Sequence, residues 1–148
     1  MTSAQRVWRD RIIGLSSIAG LVSSALLVLA CQTTRDTALA PGPTTPASQG
    51  MVRTSEDQNG NTRLSVEVKH LPPPERLSPE LRTFVVWIKP AGSGDYVNMG
   101  QLAIDDDRKG TLNTVTPHTD MMVLVTAEAS GAPGYPSTYK MLDGRAER

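Results

Sequence analysis

The fold is decided by the stretch TFVVWI at residues 83–88. Because successive side chains of a β-strand point to opposite faces, this stretch is apolar on both faces and predicts a central strand, with Trp87 as a main core residue. The stretch MMVLVTA at residues 121–127 has the same character. A surface strand of a sandwich is ordinarily polar on its outer face. We therefore expect these outer faces to be covered, either by the chain's own residues 71–81 or by a partner protein.

Shorter stretches with a period of two surround these strands. Leu64, Val66 and Val68 alternate with polar residues, which predicts a strand with one buried face, and an Asn-Gly pair just before it is typical of a β-hairpin turn. Such stretches recur between residues 51 and 142 with no long helical pattern. The sequence predicts an all-β fold, a small antiparallel β-sandwich (Ig-like) of about seven strands, with residues 143–148 frayed.

The region before this domain carries a second pattern. Three arginines in the first eleven residues precede an uncharged stretch at residues 12–30, which ends in Val28-Leu29-Ala30-Cys31. A basic start, an apolar middle and a small residue before the cut are the layout of a secretory signal. The segment VLAC resembles the lipobox of bacterial lipoproteins. That resemblance implies that residues 1–30 are a lipoprotein signal peptide and that Cys31 receives a diacylglycerol on its sulfur before cleavage.

An uncleaved membrane anchor is the alternative interpretation. The uncharged stretch has 19 residues, close to the length that a transmembrane helix needs. Both interpretations place the rest of the chain outside the cytoplasm, because the arginines hold the N-terminus inside. In a Gram-negative cell, the general sorting behaviour of lipoproteins makes Gln32, in place of Asp, favour the outer membrane.

Residues 31–50 come after the signal and are rich in Thr, Pro and Ala, without apolar periodicity. We expect the lipid-anchor Cys31 and a disordered linker of roughly 25 Å, followed by the β-sandwich domain at residues 51–148. The chain has 15 basic and 15 acidic side chains, and this balance argues against nucleic acid as a partner. Its single Cys excludes an internal disulfide and a Cys-rich zinc site.

Residues that could support chemistry are few. His70 and His118 have no second His or Cys at ligand spacing, and no G-x-S-x-G motif is present. His70 is in phase with the buried face of its strand, so we expect it to be partly buried. We expect no catalytic residue, no metal and no cofactor, and therefore a protein that is not an enzyme.

The acidic turn at residues 105–110 leaves two interpretations open. Asp105, Asp106 and Asp107 followed by Gly110 suggest calcium ligands, but Lys109 stands at a position where an EF-hand has an oxygen ligand. A hairpin turn, with Asp bonding its own backbone and Gly110 at positive φ, is the favoured interpretation. A calcium site of another kind is the alternative.

Three segments carry a family resemblance. The VW strand at residues 84–88, the G-x-L strand with its Asp/Gly turn at residues 99–110 and the V-T-x-E strand at residues 123–128 resemble the extracytoplasmic C-terminal domain of anti-sigma-K factors. The resemblance implies a small β-sandwich of sensor or receptor type without known catalytic residues. Those regulators carry a sigma-binding domain before their membrane helix, whereas about eleven residues precede the apolar stretch here, so we do not expect sigma-factor inhibition.

These patterns together predict a membrane-anchored envelope lipoprotein with a non-catalytic binding or structural domain. Its partners would be the membrane, through lipidated Cys31, and a protein of the envelope. The alternative is a sensor or accessory subunit that an uncleaved N-terminal transmembrane helix holds in the membrane.

Overall fold

The protein is described by a computed structural model over residues 33–148. These residues form eight β-strands and one short 3-10 helix, Pro74–Arg76, and every strand pairing is antiparallel. The predicted all-β fold is confirmed, with one strand more than expected. The strands are β1 (Thr34–Pro41), β2 (Gln49–Glu56), β3 (Thr62–Lys69), β4 (Thr83–Pro90), β5 (Val97–Leu102), β6 (Lys109–Thr116), β7 (Asp120–Glu128) and β8 (Lys140–Glu147).

All eight strands belong to one sheet with the order β5-β4-β7-β8-β1-β2-β3-β6. The first six residues of β1 pair with β2, whereas Ala40 and Pro41 pair with Asp143 and Leu142 of β8. This change of partner joins a half-sheet of β4, β5, β7 and β8 to a half-sheet of β1, β2, β3 and β6. The fold is therefore sandwich-like, and it is made from one continuous sheet that folds over on itself.

The main core lies between the two half-sheets. Leu64, Val66 and Val68 of β3 are all buried, as their alternation predicts. Alternate residues of the two doubly apolar strands belong to the same core, and so do Leu71 and Leu81 from the segment between β3 and β4. The residues that β4 and β7 contribute are Phe84, Val86, Ile88, Met121, Val123, Val125 and Ala127.

The predicted disordered linker at residues 31–50 is wrong for its described part. β1 occupies Thr34–Pro41, and β2 already begins at Gln49. Leu39 is the single buried side chain of β1, at 4% exposure, and it packs close to Gly50 and Gly144. A strand held by backbone pairing and one side chain shows no alternation of apolar residues, so the sequence pattern did not reveal it.

The turn after β1 is bound to the same edge of β8. The amide of Gly42 donates to the Met141 carbonyl at 2.7 Å, and Thr45 Oγ1 donates to that carbonyl at 3.3 Å. A Cβ atom at residue 42 would lie 2.2 Å from the Lys140 carbonyl oxygen. Glycine is therefore required at this position because the backbone of β8 approaches so closely.

The predicted frayed tail at residues 143–148 is also wrong. β8 continues to Glu147, and Ala146 is fully buried in the main core. The guanidinium of Arg145 forms a two-pronged ion pair with Asp120 of β7, with Nε 2.9 Å from Oδ1. The last residue is also held, because the amide of Arg148 donates to the Thr119 carbonyl at 2.8 Å.

The Asn-Gly hairpin between β2 and β3 is confirmed. Gly60 adopts φ +80°, and the Asp57 carboxylate accepts hydrogen bonds from the amides of Asn59 and Asn61 at 2.8 and 2.9 Å. These bonds, of which the one from Asn61 has the largest effect, lower the pKa of Asp57 below its usual value. The turn is therefore stabilised by the ionised carboxylate.

The contribution of β1 is tested by Leu39→Ala. We expect a loss of about 2 to 4 kcal/mol in the free energy of unfolding, because truncation of the buried leucine side chain leaves a cavity at the junction of the half-sheets. Urea denaturation measures this loss, and Ala38→Ser at the exposed neighbouring position is the control, for which no comparable loss is expected. Equal stability of the two variants would show that β1 is peripheral to the fold.

The Asp57 carboxylate in the hairpin turn should make the stability of the fold depend on pH, and Asp57→Asn should remove this contribution. Since the folded-state pKa is lowered, the stabilisation is fully present above the ordinary pKa of an aspartate, about 3.9, and disappears as the pH falls through the lowered value. Wild type should be more stable than Asp57→Asn at pH 7, and the difference should vanish in strong acid. Thermal unfolding as a function of pH measures it, and a difference that is the same at every pH would contradict the assignment.

Candidate functional site

The predicted lipidation site, Cys31, lies outside the described residues 33–148, so its modification stays a prediction. The sheet starts close behind it, because β1 begins at Thr34, with Gln32 and Thr33 alone between the cysteine and the first strand. Within the described range, no helix is long and apolar enough to cross a membrane.

The outer face of β4 and β7 is the most unusual surface of the domain. The two strands are neighbours, and Trp87 pairs across them with Leu124. Val85, Trp87 and Leu124 form a second buried cluster, separate from the main core. Trp87 is 1% exposed, which confirms that it is a core residue, and its side chain lies in this second cluster, on the opposite side of the sheet from the main core.

A loop at residues 129–139, here called the strap, covers this outer cluster. The Gly131 carbonyl accepts a hydrogen bond at 3.3 Å from the Asn98 side chain on β5, and a Cβ at Gly131 would lie 2.5 Å from Gln101 Oε1. Asn98 pairs with Trp87, and Gln101 pairs with Val85. The strap therefore leaves β7, crosses β4 and reaches β5, so that it lies over the apolar outer face.

Coverage by the chain itself is thus observed, which is one of the two outcomes expected for this face. The covering segment is not the one expected, residues 71–81. Leu71 and Leu81 of that segment are fully or almost fully buried in the main core, on the other side of the sheet. Either loop could have served as the cover, and the alternation in β4 and β7 does not distinguish them.

A buried row of polar groups fastens the strap to β7. Trp87 Nε1 donates to Thr126 Oγ1 at 2.8 Å, and Thr126 Oγ1 donates in turn to Glu128 Oε1. The same carboxylate oxygen accepts the Ser137 amide at 2.8 Å, while Ser137 Oγ donates to the Ala127 carbonyl at 2.7 Å. Glu128 is only 4% exposed. Buried polar groups with such partners make a fixed attachment, because separating them would leave each one unsatisfied.

Sequence reasoning did not identify this row. Thr126 and Glu128 follow Leu124 at intervals of two, so they occupy the outer face of β7 in phase with the apolar cluster. That spacing was the available signal. It could not reveal that the carboxylate is buried, because the strap that buries it has no periodicity of its own.

An open cleft of about 500 Å³ lies beside the strap. Tyr135 is 81% exposed within it, and Met122 and Tyr96 are also exposed. At its rim, Lys140 Nζ is 3.0 Å from Asp143 Oδ1. Apolar walls with a few polar groups are suited to binding a ligand that has both characters. The lining residues are Tyr96, Met122, Val123, Leu124, Tyr135, Pro136, Ser137, Lys140 and Asp143.

The two histidines are exposed and lie at opposite ends of the strands. The expected partial burial of His70 is wrong because its backbone adopts φ +62°, which takes the chain out of the alternation of β3. His118 is in the turn between β6 and β7. Among residues 33–148, no group of three or more His, Cys, Asp or Glu side chains is arranged to hold a metal ion.

The acidic turn between β5 and β6 is a hairpin turn, as favoured. The Lys109 amide donates to Asp105 Oδ1 at 2.8 Å, and the Arg108 amide donates to the Asp105 carbonyl at 2.9 Å. Positive φ occurs at Arg108, at +58°, and not at Gly110 as expected. Gly110 is needed for another reason, since a Cβ there would lie 2.4 Å from the Ala103 carbonyl oxygen.

Comparison with known proteins shows no family model that matches the chain and no curated protein that is significantly similar to it. The resemblance to the anti-sigma-K domain stays a prediction. The interpretation of the outer face and its cleft therefore depends on their own geometry.

The buried polar row is tested by Thr126→Val, which keeps the shape of the side chain and removes its hydroxyl. Because Trp87 and Glu128 would both lose a partner while buried, we expect a loss of about 2 to 4 kcal/mol in the free energy of unfolding. Thr126→Ser is the matched control, which keeps the hydroxyl and should lose about 1 kcal/mol for the methyl group.

Urea denaturation followed by fluorescence measures this effect, since Trp87 is the sole tryptophan of residues 33–148. If the valine variant were as stable as the serine variant, the hydroxyl would not hold the strap.

Proposed function

We propose that this chain is a membrane-anchored envelope lipoprotein in which Cys31 carries the lipid and the all-β domain is a non-catalytic binding or structural module. The observation that carries the proposal is the segment VLAC at residues 28–31, after a basic start and an uncharged stretch. The resemblance to the extracytoplasmic domain of anti-sigma-K factors supports the same compartment. Gln32 favours the outer membrane if the cell is Gram-negative.

Cysteine usage supports this proposal. Cys31 is the sole cysteine of the chain, so residues 33–148 contain no thiol that an oxidising compartment could modify. A free thiol beside the membrane would be exposed to oxidation, whereas a thioether to lipid would not. The composition is therefore the one expected of an extracytoplasmic lipoprotein.

The outer face supports binding in preference to catalysis. Its buried carboxylate, Glu128, accepts hydrogen bonds from Thr126 and Ser137, and the Ser137 hydroxyl is bonded to the Ala127 carbonyl. These groups hold the strap in place. The open cleft beside them presents the exposed rings of Tyr96 and Tyr135, which are side chains suited to contact with an envelope protein.

A sensor or accessory subunit with an uncleaved helix is the second candidate. It is favoured by one observation, the 19 uncharged residues at positions 12–30, which are nearly enough to cross a bilayer. Both candidates place the domain in the same compartment and differ in the chemical state of Cys31.

Labelled palmitate distinguishes the two candidates. Cells that express the full chain should incorporate the label into it, and Cys31→Ser should abolish incorporation because the serine hydroxyl cannot form the thioether. Ser24→Ala, a change within the same uncharged stretch, is the control and should remain labelled.

Incorporation of label into Cys31→Ser would refute the lipobox interpretation. A wild-type chain that remains in the membrane without label and with a reactive thiol would support the uncleaved helix instead.

A further inference from the structure

The two ends of the sheet differ in what they present. The end at which β1 begins, here called the anchor end, carries Thr34, the C-terminal Arg148 and the short turns at residues 57–61, 91–96 and 117–119. The opposite end, here called the loop end, carries the other four connections, three of which are longer than any connection at the anchor end. The four are residues 42–48, 70–82, 103–108 and the start of the strap at residues 129–139.

The covalent chain between Cys31 and the sheet is very short. Three residue steps separate Cys31 from Thr34, and a fully extended chain covers at most about 11 Å over that length. Thr34 is itself held in the sheet, because it pairs with Ser55 of β2. Its neighbour Arg35 is 3.7 Å from the Glu147 carboxylate of β8. These contacts place the start of the first strand on the domain, so no free segment after Thr34 lengthens the connection.

We propose that the anchor end lies directly on the lipid head groups, with the strands pointing away from the membrane and the loop end about 26 Å further out, the length of an eight-residue strand. This proposal rests on the proposed anchoring at Cys31, and it applies equally to an uncleaved helix that ends at Cys31. The interfacial layer on each side of a bilayer is about 5 to 8 Å thick. A connection of at most about 11 Å thus brings the turns of the anchor end to the head groups.

The charges of the anchor end indicate what kind of contact this is. Arg35 is paired with Glu147, Arg145 with Asp120, and Arg148 lies 3.5 Å from Glu56. Arg63 and Lys89 near this end form no ion pair among the described residues, but Asp57 and Asp95 in the adjacent turns offset their charge. The end as a whole therefore gives little attraction to anionic lipid. The short connection, and not surface charge, therefore enforces the contact, and the contact should be insensitive to the anionic lipid content.

Quenching of fluorescent labels tests the orientation in the full, anchored chain. A lipid thioether leaves no free thiol, so a cysteine introduced at one exposed position is the single labelling site. Asn59→Cys and His118→Cys place the label at the anchor end, and Thr44→Cys and Asp106→Cys place it at the loop end. The vesicles are phosphatidylcholine with a minor lipid whose head group carries a nitroxide.

Labels at the anchor end should be quenched at least about threefold more than labels at the loop end, because a strand length separates the two ends. Adding phosphatidylglycerol to the vesicles should not change this ratio. A flexible Gly/Ser insert of about 20 residues between Gln32 and Thr33, with a root-mean-square length of roughly 25 Å, should lower the quenching at the anchor end toward that at the loop end. Circular dichroism and melting of each labelled chain confirm that it is folded.

Equal quenching at the two ends of an anchored chain, or stronger quenching at the loop end, would overturn the orientation while leaving the anchoring intact. A chain that carries no lipid and does not associate with vesicles would overturn the anchoring and the orientation together. A membrane-bound chain with a reactive Cys31 indicates the uncleaved helix. The four labelling cysteines are then introduced into Cys31→Ser, so that each chain again has one thiol. Stronger quenching at the anchor end than at the loop end is still expected.

Discussion

The structure depends on the change of partner within β1. Six of its residues pair with β2 and its last two pair with β8, and this single strand connects the two half-sheets that enclose the main core. Leu39 is its one buried side chain. The pairing also depends on close backbone approach, because the Gly42 amide donates to the Met141 carbonyl at 2.7 Å and the Lys140 carbonyl leaves no room for a side chain at residue 42. Closure of the fold therefore depends on this backbone approach as well as on the packing of Leu39.

The elements that could be predicted from the sequence are those in which the pattern of apolar and polar residues matches the pattern of burial. β3 alternates cleanly because one of its faces contacts the core, and the doubly apolar β4 and β7 are covered on both sides. The first strand and the second half of β8 were not predicted because each has a single buried side chain, Leu39 or Ala146, and backbone pairing holds the rest. The same limit applies to the outer face: that a cover was needed could be predicted, but which loop supplies it depends on contacts such as Asn98 to Gly131.

The strap shows how a small domain can fill a second apolar layer without a second sheet. Val85, Trp87 and Leu124 are too few to form a core of their own. The polar row from Trp87 through Thr126 to Glu128 and Ser137 fixes an irregular segment over them, since the amide and hydroxyl of Ser137 take the place of strand pairing. One part of the candidate site was accessible from the sequence, namely the apolar outer residues. The exposed Tyr135 beside them was not, because a tyrosine in an aperiodic loop carries no signal of its position.

The pairing of β1 with β8 joins the first and last strands of the domain, which has a consequence for biogenesis. If the chain is exported as proposed, β1 crosses the membrane before β8, because β1 is nearer to the N-terminus. Until the final residues emerge, Pro41 has no Leu142 to pair with, and the edge of β7 that pairs with β8 is open. Folds dominated by contacts between distant parts of the chain form slowly, because the entropy of closing long loops must be overcome first. On the proposed export, completion of this domain therefore waits until β8 has crossed, and until then the unpaired strand edges are open to pairing with other chains.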